Sequence, residues 1–328
     1  MTSPRGTAGA PAATRPGRRS TSNEVRRDSV ACGPAAYAVA VTAAMVEMED
    51  GARLRTWTAG QAIPRRPPVV MINGGPGLPD YLSPVAGIID DLCLVHRYDQ
   101  RGTGGSAWEG DHTLGRHVRD LALLLDAWGH DRVVLVGHSF GTSLAGYFLL
   151  AHPERVAGLI QLSGPFLEPW READRAAQRE RRTAGQQARL DELAAVEVRS
   201  DAEEIEFLTL SWFTDHADPA RAWDWALASA RALRPVNYAM NAQLNAAGRA
   251  DPLEAHVDEL RSCLPDGAVI IGGAGDSRPA DALRRLGSSL GCAVVIIADA
   301  GHSPWLEAPE RFGTAFRAAV AGQAGAAG

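Results

Sequence analysis

Six short apolar runs, at residues 68–72, 92–95, 133–136, 159–162, 268–271 and 293–297, constrain the fold of this chain more than any other feature. Several stop abruptly at a loop bearing glycine: Asn73-Gly-Gly after the first, Asp99-Gln-Arg-Gly102 beyond the second, Gly137 after the third. A strand this short and apolar on both faces belongs in a sheet covered on both sides. Such sheets are mostly parallel, because helical crossovers supply the covers. The intervening stretches read as those helices. In residues 113–128, Leu114, Val118, Leu121, Leu125 and Trp128 fall on one stripe at spacings of three and four. Residues 143–152 are apolar nearly all round, as a helix in the middle of a fold would be, and 279–290 and 304–320 follow the last two strands.

Residues 41–48 and 52–58 read as two further strands joined at Asp50-Gly51, a hairpin turn signal. The expected class is therefore α/β, a mostly parallel twisted sheet with helices on both faces, opened by an antiparallel hairpin. One stretch breaks the alternation. Residues 165–266 show no strand signal, are helical in character over 168–197, 201–213, 219–233 and 235–248, and hold Trp170, Trp212, Trp223 and Trp225 of the chain's 8 tryptophans. A structureless loop of that length is implausible in a compact domain. It reads as a helical cap inserted between a first core part, 41–164, and a second, 267–322. Residues 1–40, rich in Ala, Pro, Gly, Ser and Thr, read as a disordered tail, and 322–328 as a frayed end.

Composition removes several functional classes. The net charge is -6, but residues 1–44 carry six arginines against Glu24 and Asp28, so the body is more acidic than the total suggests. An acidic body has little with which to neutralise phosphates, so nucleic acid is not an expected partner. All 33 basic residues are arginine, which excludes Schiff-base chemistry and a lysine-bearing phosphate loop. Cys32, Cys93, Cys263 and Cys292 are scattered, giving neither a disulfide framework nor a zinc site. No apolar run is long enough to span a bilayer. The apolar stretch after Arg26 and Arg27 meets Glu47, Glu49 and Asp50 where a signal peptide would be cleaved, so a cytoplasmic location is expected. No metal or nucleotide motif is present, and no cofactor is expected.

The chemistry gathers at strand ends. Gly137-His-Ser-Phe-Gly141 has the form G-x-S-x-G between a strand and a helix, where a nucleophilic serine sits on a strained turn that only small neighbours accommodate. A serine needs a base, and the base an orienting acid. Asp276 follows one apolar run in Gly272-Gly-Ala-Gly-Asp276, and His302 follows the next in Ala300-Gly-His-Ser-Pro304. In a parallel sheet these ends share one rim, where active sites form. His138 lies inside the turn and reads as packing, while His96, His117, His130, His152, His216 and His256 have no strand-end context and read as surface or packing residues. Asp299 and Asp266 are less well placed as acid. A tetrahedral intermediate needs two N–H donors. Phe140, after the serine, is one; the other comes from Asn73-Gly-Gly-Pro-Gly77, with Gly75 preferred and Gly74 second.

These motifs resemble the α/β-hydrolase superfamily, and within it the prolyl aminopeptidase (proline iminopeptidase) branch, the S33 peptidases. Asn73-Gly-Gly-Pro-Gly77 is similar to that branch's His-Gly-Gly-Pro-Gly loop, with asparagine at its head. Asp99-Gln-Arg-Gly-Thr-Gly-Gly-Ser106 is similar to its Asp-Gln-Arg-Gly-x-Gly-x-Ser turn, and Gly137–Gly141 to its nucleophile elbow. The resemblance implies a serine hydrolase that forms an acyl-enzyme and releases an N-terminal proline or similar residue from a short peptide or amide. It also implies that cap carboxylates hold the substrate's free amine. Glu203, Glu204 and Glu206 are the candidates, as is Asp224, with Trp223 as a further substrate-binding residue, since Ala226 stands where that branch's tryptophan-rich helix carries a glutamate. The alternatives are hydrolysis of an ester, lactone or amide in a small molecule, and a non-catalytic ligand-binding protein on the same scaffold.

Overall fold

Among the described residues eight strands form one sheet in the order β1-β2-β4-β3-β5-β6-β7-β8. They are β1 (Thr42–Glu47), β2 (Arg53–Ala59), β3 (Val69–Ile72), β4 (Val95–Tyr98), β5 (Val133–His138), β6 (Val156–Leu162), β7 (Val269–Gly273) and β8 (Ala293–Ile297). The computed structural model describes residues 41–166 and 170–323, so the expected disordered tail over 1–40 lies outside the described residues. The β1–β2 and β2–β4 pairs are antiparallel, and every pairing from β4 to β8 is parallel. Residues β3, β5 and β6 contribute are all buried, which is why their sequences do not alternate. The pleat divides them instead. Val70 and Ile72 face one apolar layer, Val69 and Met71 the other.

The helices are α1 (Ser83–Ala86), α2 (Leu114–Trp128), α3 (Phe140–Ala151), α4 (Arg171–Arg181), α5 (Ala184–Ala194), α6 (Asp201–Trp212), α7 (Ala222–Ala232), α8 (Tyr238–Ala250), α9 (Val257–Cys263), α10 (Ala280–Leu290), α11 (Pro304–Glu307) and α12 (Pro309–Gly322). Leu121 and Leu125 of α2, Leu144 and Phe148 of α3 and Leu283 of α10 fill the first layer. Val85, Phe312 and Phe316 from α1 and α12 fill the second. Thr113 caps α2 by accepting the Arg116 N–H at 3.2 Å, and the helix stops at Gly129, whose φ of 72° is left-handed.

Several boundaries differ from the sequence reading. The strand expected at 92–95 is Val95–Tyr98, shifted because His96 and Arg97 are buried polar residues that an apolar search passes over. His96 is satisfied by Thr58 and His130, and Arg97 by Asp80. The helix expected from 143 begins at Phe140, immediately after the serine. In place of one helix over 168–197, the described residues 170–197 hold two, because Thr183 and Gln186 form a capping box that starts α5. The last helix is interrupted at Ala308, before Pro309. Gly322 and Gln323 do not fray: Gln323 is buried, and its Nε2 donates to the Gly267 carbonyl at 2.5 Å.

The α4–α8 region follows β6, as the long helical insertion requires. Its expected end at 266 is too late by packing. Leu253 and Leu260 belong to the core layer that holds α3 and α10, so residues 252–263 cover the sheet rather than the rim.

Candidate active site

Ser139 stands between β5 and α3 with φ 54° and ψ -122°. A positive φ is rare for a residue with a side chain and costs about 1–3 kcal/mol, so the surroundings must hold it. They do. A side chain on Gly137 would strike the Gly141 carbonyl, and one on Gly141 the Ile72 carbonyl, so only glycines let the strand turn this tightly into the helix. The helix that follows begins at Phe140, so its first N–H groups lie at the turn without partners one turn earlier in the helix, and Thr142 N–H donates to the Ser139 carbonyl at 3.0 Å.

Asp276 and His302 leave β7 and β8 at the same rim. His302 Nδ1–H donates to Asp276 Oδ2 at 2.6 Å. Both side chains are buried. Burial alone would raise the Asp276 pKa, but the neighbouring His302 and Arg278 outweigh it and hold this carboxyl well below its ordinary range. His302 lies against the elbow: its backbone carbonyl accepts from His138 Nε2 at 3.0 Å, and the two rings are 4.9 Å apart.

The loop after β3 lies on the other side of Ser139. A Cβ on Gly74 would sit 2.7 Å from the Ser139 Cβ, so the glycine permits close approach to the hydroxyl-bearing residue. Gly74's own N–H is taken, donating to Tyr81 Oη at 2.7 Å. Gly75, with φ 128°, lines the cavity with Ser139 and Phe140. Asn73 organises the loop from beneath. Its Nδ2 donates to the carbonyls of Leu78 (2.9 Å), Gly74 (3.1 Å) and Pro79 (3.2 Å), and Gln100 Nε2 donates to its carbonyl at 2.8 Å. The second glycine-rich turn thus supports the first.

The cavity at Ser139 encloses ≈ 210 Å³, and Arg171, Glu254 and Arg278 are its charged walls. None of the cap residues singled out from the sequence lines it. Glu203 caps α6, accepting from Ser200 N at 2.8 Å and Ser200 Oγ at 2.7 Å. Glu204 pairs with Arg199 at 2.6 Å and accepts the Tyr238 hydroxyl, in a separate surface groove. Glu206 pairs with Arg189 at 2.9 Å. Trp223 is partly exposed and packs on Phe213, and Asp224 is exposed on α7. The arginines of this insertion claim its glutamates, a pairing that linear sequence conceals. Arg278, two residues past Asp276, and Tyr81, seven past Gly74, are site residues that sequence reading missed. Glu254 had no motif to flag it.

The alpha/beta hydrolase fold family matches residues 67–309. The chain belongs to that family, and the sheet order, the elbow and the rim agree with it. A proline iminopeptidase of Saccharolobus solfataricus is 37% identical over 101 residues, 29% of this chain and 33% of that protein. The lipase LipV of Mycobacterium tuberculosis is 34% identical over 100 residues, 27% of this chain and 38% of that protein. The chain thus matches about a third of the length of each of these relatives. Among solved structures, a thermophilic esterase from Thermogutta terrifontis superposes with a TM-score of 0.64 at 21% identity, covering 84% of this chain and 97% of that one. Hydrolysis is the class of chemistry these relatives share. Among the described residues no helix is long and apolar enough to cross a membrane.

Proposed function

We propose that this chain is a serine hydrolase that works through an acyl-enzyme on a small ester, lactone or amide. Ser139 Oγ attacks the substrate carbonyl carbon while His302 Nε2 takes its proton, and the carbonyl electron pair moves onto oxygen. The Gly75 and Phe140 N–H groups receive that oxyanion, each such donor being worth about 3–4 kcal/mol in the transition state. Collapse expels the leaving group, which takes the proton from His302, and leaves Ser139 acylated. Water then repeats the sequence and frees the acid. Asp276 keeps Nδ1 protonated so that Nε2 faces the serine. The observation that carries this reading is the 2.6 Å bond between His302 and Asp276 at the rim that bears the strained Ser139.

The small cavity supports a short acyl group, since typical ligand pockets run from about 300 Å³ upward. A second reading, release of an N-terminal proline or similar residue, draws support from Glu254 on the cavity wall and from the likeness to proline iminopeptidases. It loses the amine-holding role first given to Glu203, Glu204 and Glu206. A fluorophosphonate probe should label the native chain and not Ser139→Ala; equal labelling of both refutes the nucleophile. Short p-nitrophenyl esters compared with prolyl p-nitroanilide separate the two substrate readings. Turnover of the prolyl amide alone, abolished when its amine is blocked, would replace the first reading by the second.

A further inference from the structure

Asp276 uses its two carboxylate oxygens for different tasks. Oδ2 accepts the imidazole N–H, whereas Oδ1 accepts the Arg278 backbone N–H at 3.0 Å and Arg278 Nη1 at 3.1 Å. The same Nη1 donates to Asp215 Oδ1 at 3.0 Å. Asp215 in turn accepts the His302 backbone N–H on its carbonyl at 2.8 Å. A closed ring therefore runs from Asp276 through Arg278 and Asp215 to His302 and back. Asp215 belongs to the helical insertion, just after α6, and its segment is fastened to both catalytic loops. Arg181 donates to the carbonyls of Thr214 and Gly275, and Glu307 accepts from Ala217 N and Gly301 N.

We propose that Arg278 and Asp215 are positioning residues for the Asp276–His302 pair, a proposal that rests on the triad reading above. A carboxylate held only by its imidazole is free to rotate about its last torsion. Two donors on Oδ1 fix that rotation with Oδ2 facing Nδ1, and the Asp215 carbonyl holds the imidazole-bearing loop from behind. Asp215, with Asp174 held by Ser277 Oγ at 2.6 Å, offsets the buried guanidinium. The other ionisable groups around this ring include Arg181, Arg182, His216, Glu307, His138 and Tyr81, and burial keeps the last two neutral.

The test is the fluorophosphonate labelling rate of the full chain as a function of pH, with the downfield His302 Nδ1 proton followed by NMR. Arg278→Met should slow labelling about 10²-fold, the scale of a misplaced catalytic group. It should also move the acid limb to higher pH, because a cation bonded to the Asp276 carboxylate is lost beside the catalytic pair. Arg278→Lys should restore part of the rate. Asp215→Asn keeps its carbonyl but loses its charge, so it should move the limb the opposite way. A folded Arg278→Met with native rate and limb overturns the proposal. If that variant does not fold, an unmoved limb in Asp215→Asn together with a native labelling rate in Arg278→Lys overturns it. Native chain that resists the probe instead defeats the triad reading. The proton resonance then decides alone: shifted in the variants it upholds the positioning, unmoved it removes it.

Discussion

Tyr81 and His138 are joined by a 2.6 Å hydrogen bond between Oη and Nδ1, and its direction follows from the other bonds each makes. His138 Nε2 faces the His302 carbonyl, which only accepts, so the proton is on Nε2. Burial and the neighbouring His302 push the His138 pKa well below the ordinary imidazole value, so Nδ1 is a bare acceptor. Tyr81 must therefore donate to His138 while it accepts the Gly74 N–H. One hydroxyl links the glycine loop after β3, the elbow and, through His138, the loop that carries His302.

Removing that hydroxyl should cost more in rate than in substrate binding. Tyr81→Phe strands the Gly74 N–H and the His138 Nδ1, each a buried unpaired group worth about 1–3 kcal/mol. The freed Gly74 amide turns and takes Gly75 with it. We expect kcat to fall at least tenfold with KM nearly constant, as for a group felt mainly in the transition state. A Tyr81→Phe enzyme with native kcat would show that the loop holds its shape without the tyrosine.

The turn at 99–106 leads to a stability prediction. Arg101 is buried, with Nε donating to Asp120 Oδ2 at 2.8 Å, Nη2 to Asp120 Oδ1 at 2.5 Å and Nη1 to Asp50 Oδ2 at 2.8 Å. Arg101→Met leaves Asp120 as a buried charge without its partner, which typically costs about 3–5 kcal/mol. The double variant Arg101→Met/Asp120→Leu should recover most of that loss in urea unfolding. Equal loss in the single and double variants would mean that packing against Trp108, and not the ion pair, carries the effect.

What could be read from the sequence divides along physical lines. The common placement of Ser139, Asp276 and His302 is legible because each follows an apolar strand, and parallel strands bring their ends to one rim whatever the chain distance between them. The strand at Val95–Tyr98 is displaced in the reading because Arg97 and His96 are buried only by virtue of partners far along the chain. Arg278 and Asp215 are equally hidden, since nothing local announces a contact spanning 63 residues. Glu203, Glu204 and Glu206 mislead for the converse reason. An unpaired glutamate and one held by Arg189 or Arg199 look alike until the helices are packed.

Buried imidazoles make the fold sensitive to mild acid. Burial, with the nearby His112, Arg101 and Arg116, pushes His117 down to about 3, and burial with His130 does the same for His96. In the unfolded chain both titrate near 6.5. Below that value the unfolded state binds more protons than the folded one, so stability is intact above pH 6.5 and drains as pH falls toward about 3. The slope is about 1.4 kcal/mol per pH unit for each group. Tm should decline steadily across this window, and His117→Gln should flatten the decline. A Tm profile with the same slope in that variant would assign the acid sensitivity to other groups.

The carboxylates of the insertion offer a last discrimination. Glu203, Glu204 and Glu206 satisfy a helix cap and two arginines away from Ser139; the half-exposed Glu206–Arg189 pair contributes about 0–1 kcal/mol, and Glu204, largely buried against Arg199, keeps a hydrogen-bonding oxygen as glutamine. Their glutamine variants should therefore turn over short esters at native kcat/KM, with small changes in Tm at most. Glu254 differs because it shares the cavity with Ser139. If the cavity receives a free amine, Glu254→Gln should weaken kcat/KM for prolyl amides about tenfold or more while sparing esters that carry no amine, because only the charged substrate feels the missing carboxylate. If it receives a neutral acyl group, ester and amide turnover should change together and modestly. A selective loss on prolyl amides in Glu204→Gln, with Glu254→Gln unaffected, would return the amine site to the insertion and require Arg199 to release its partner during catalysis.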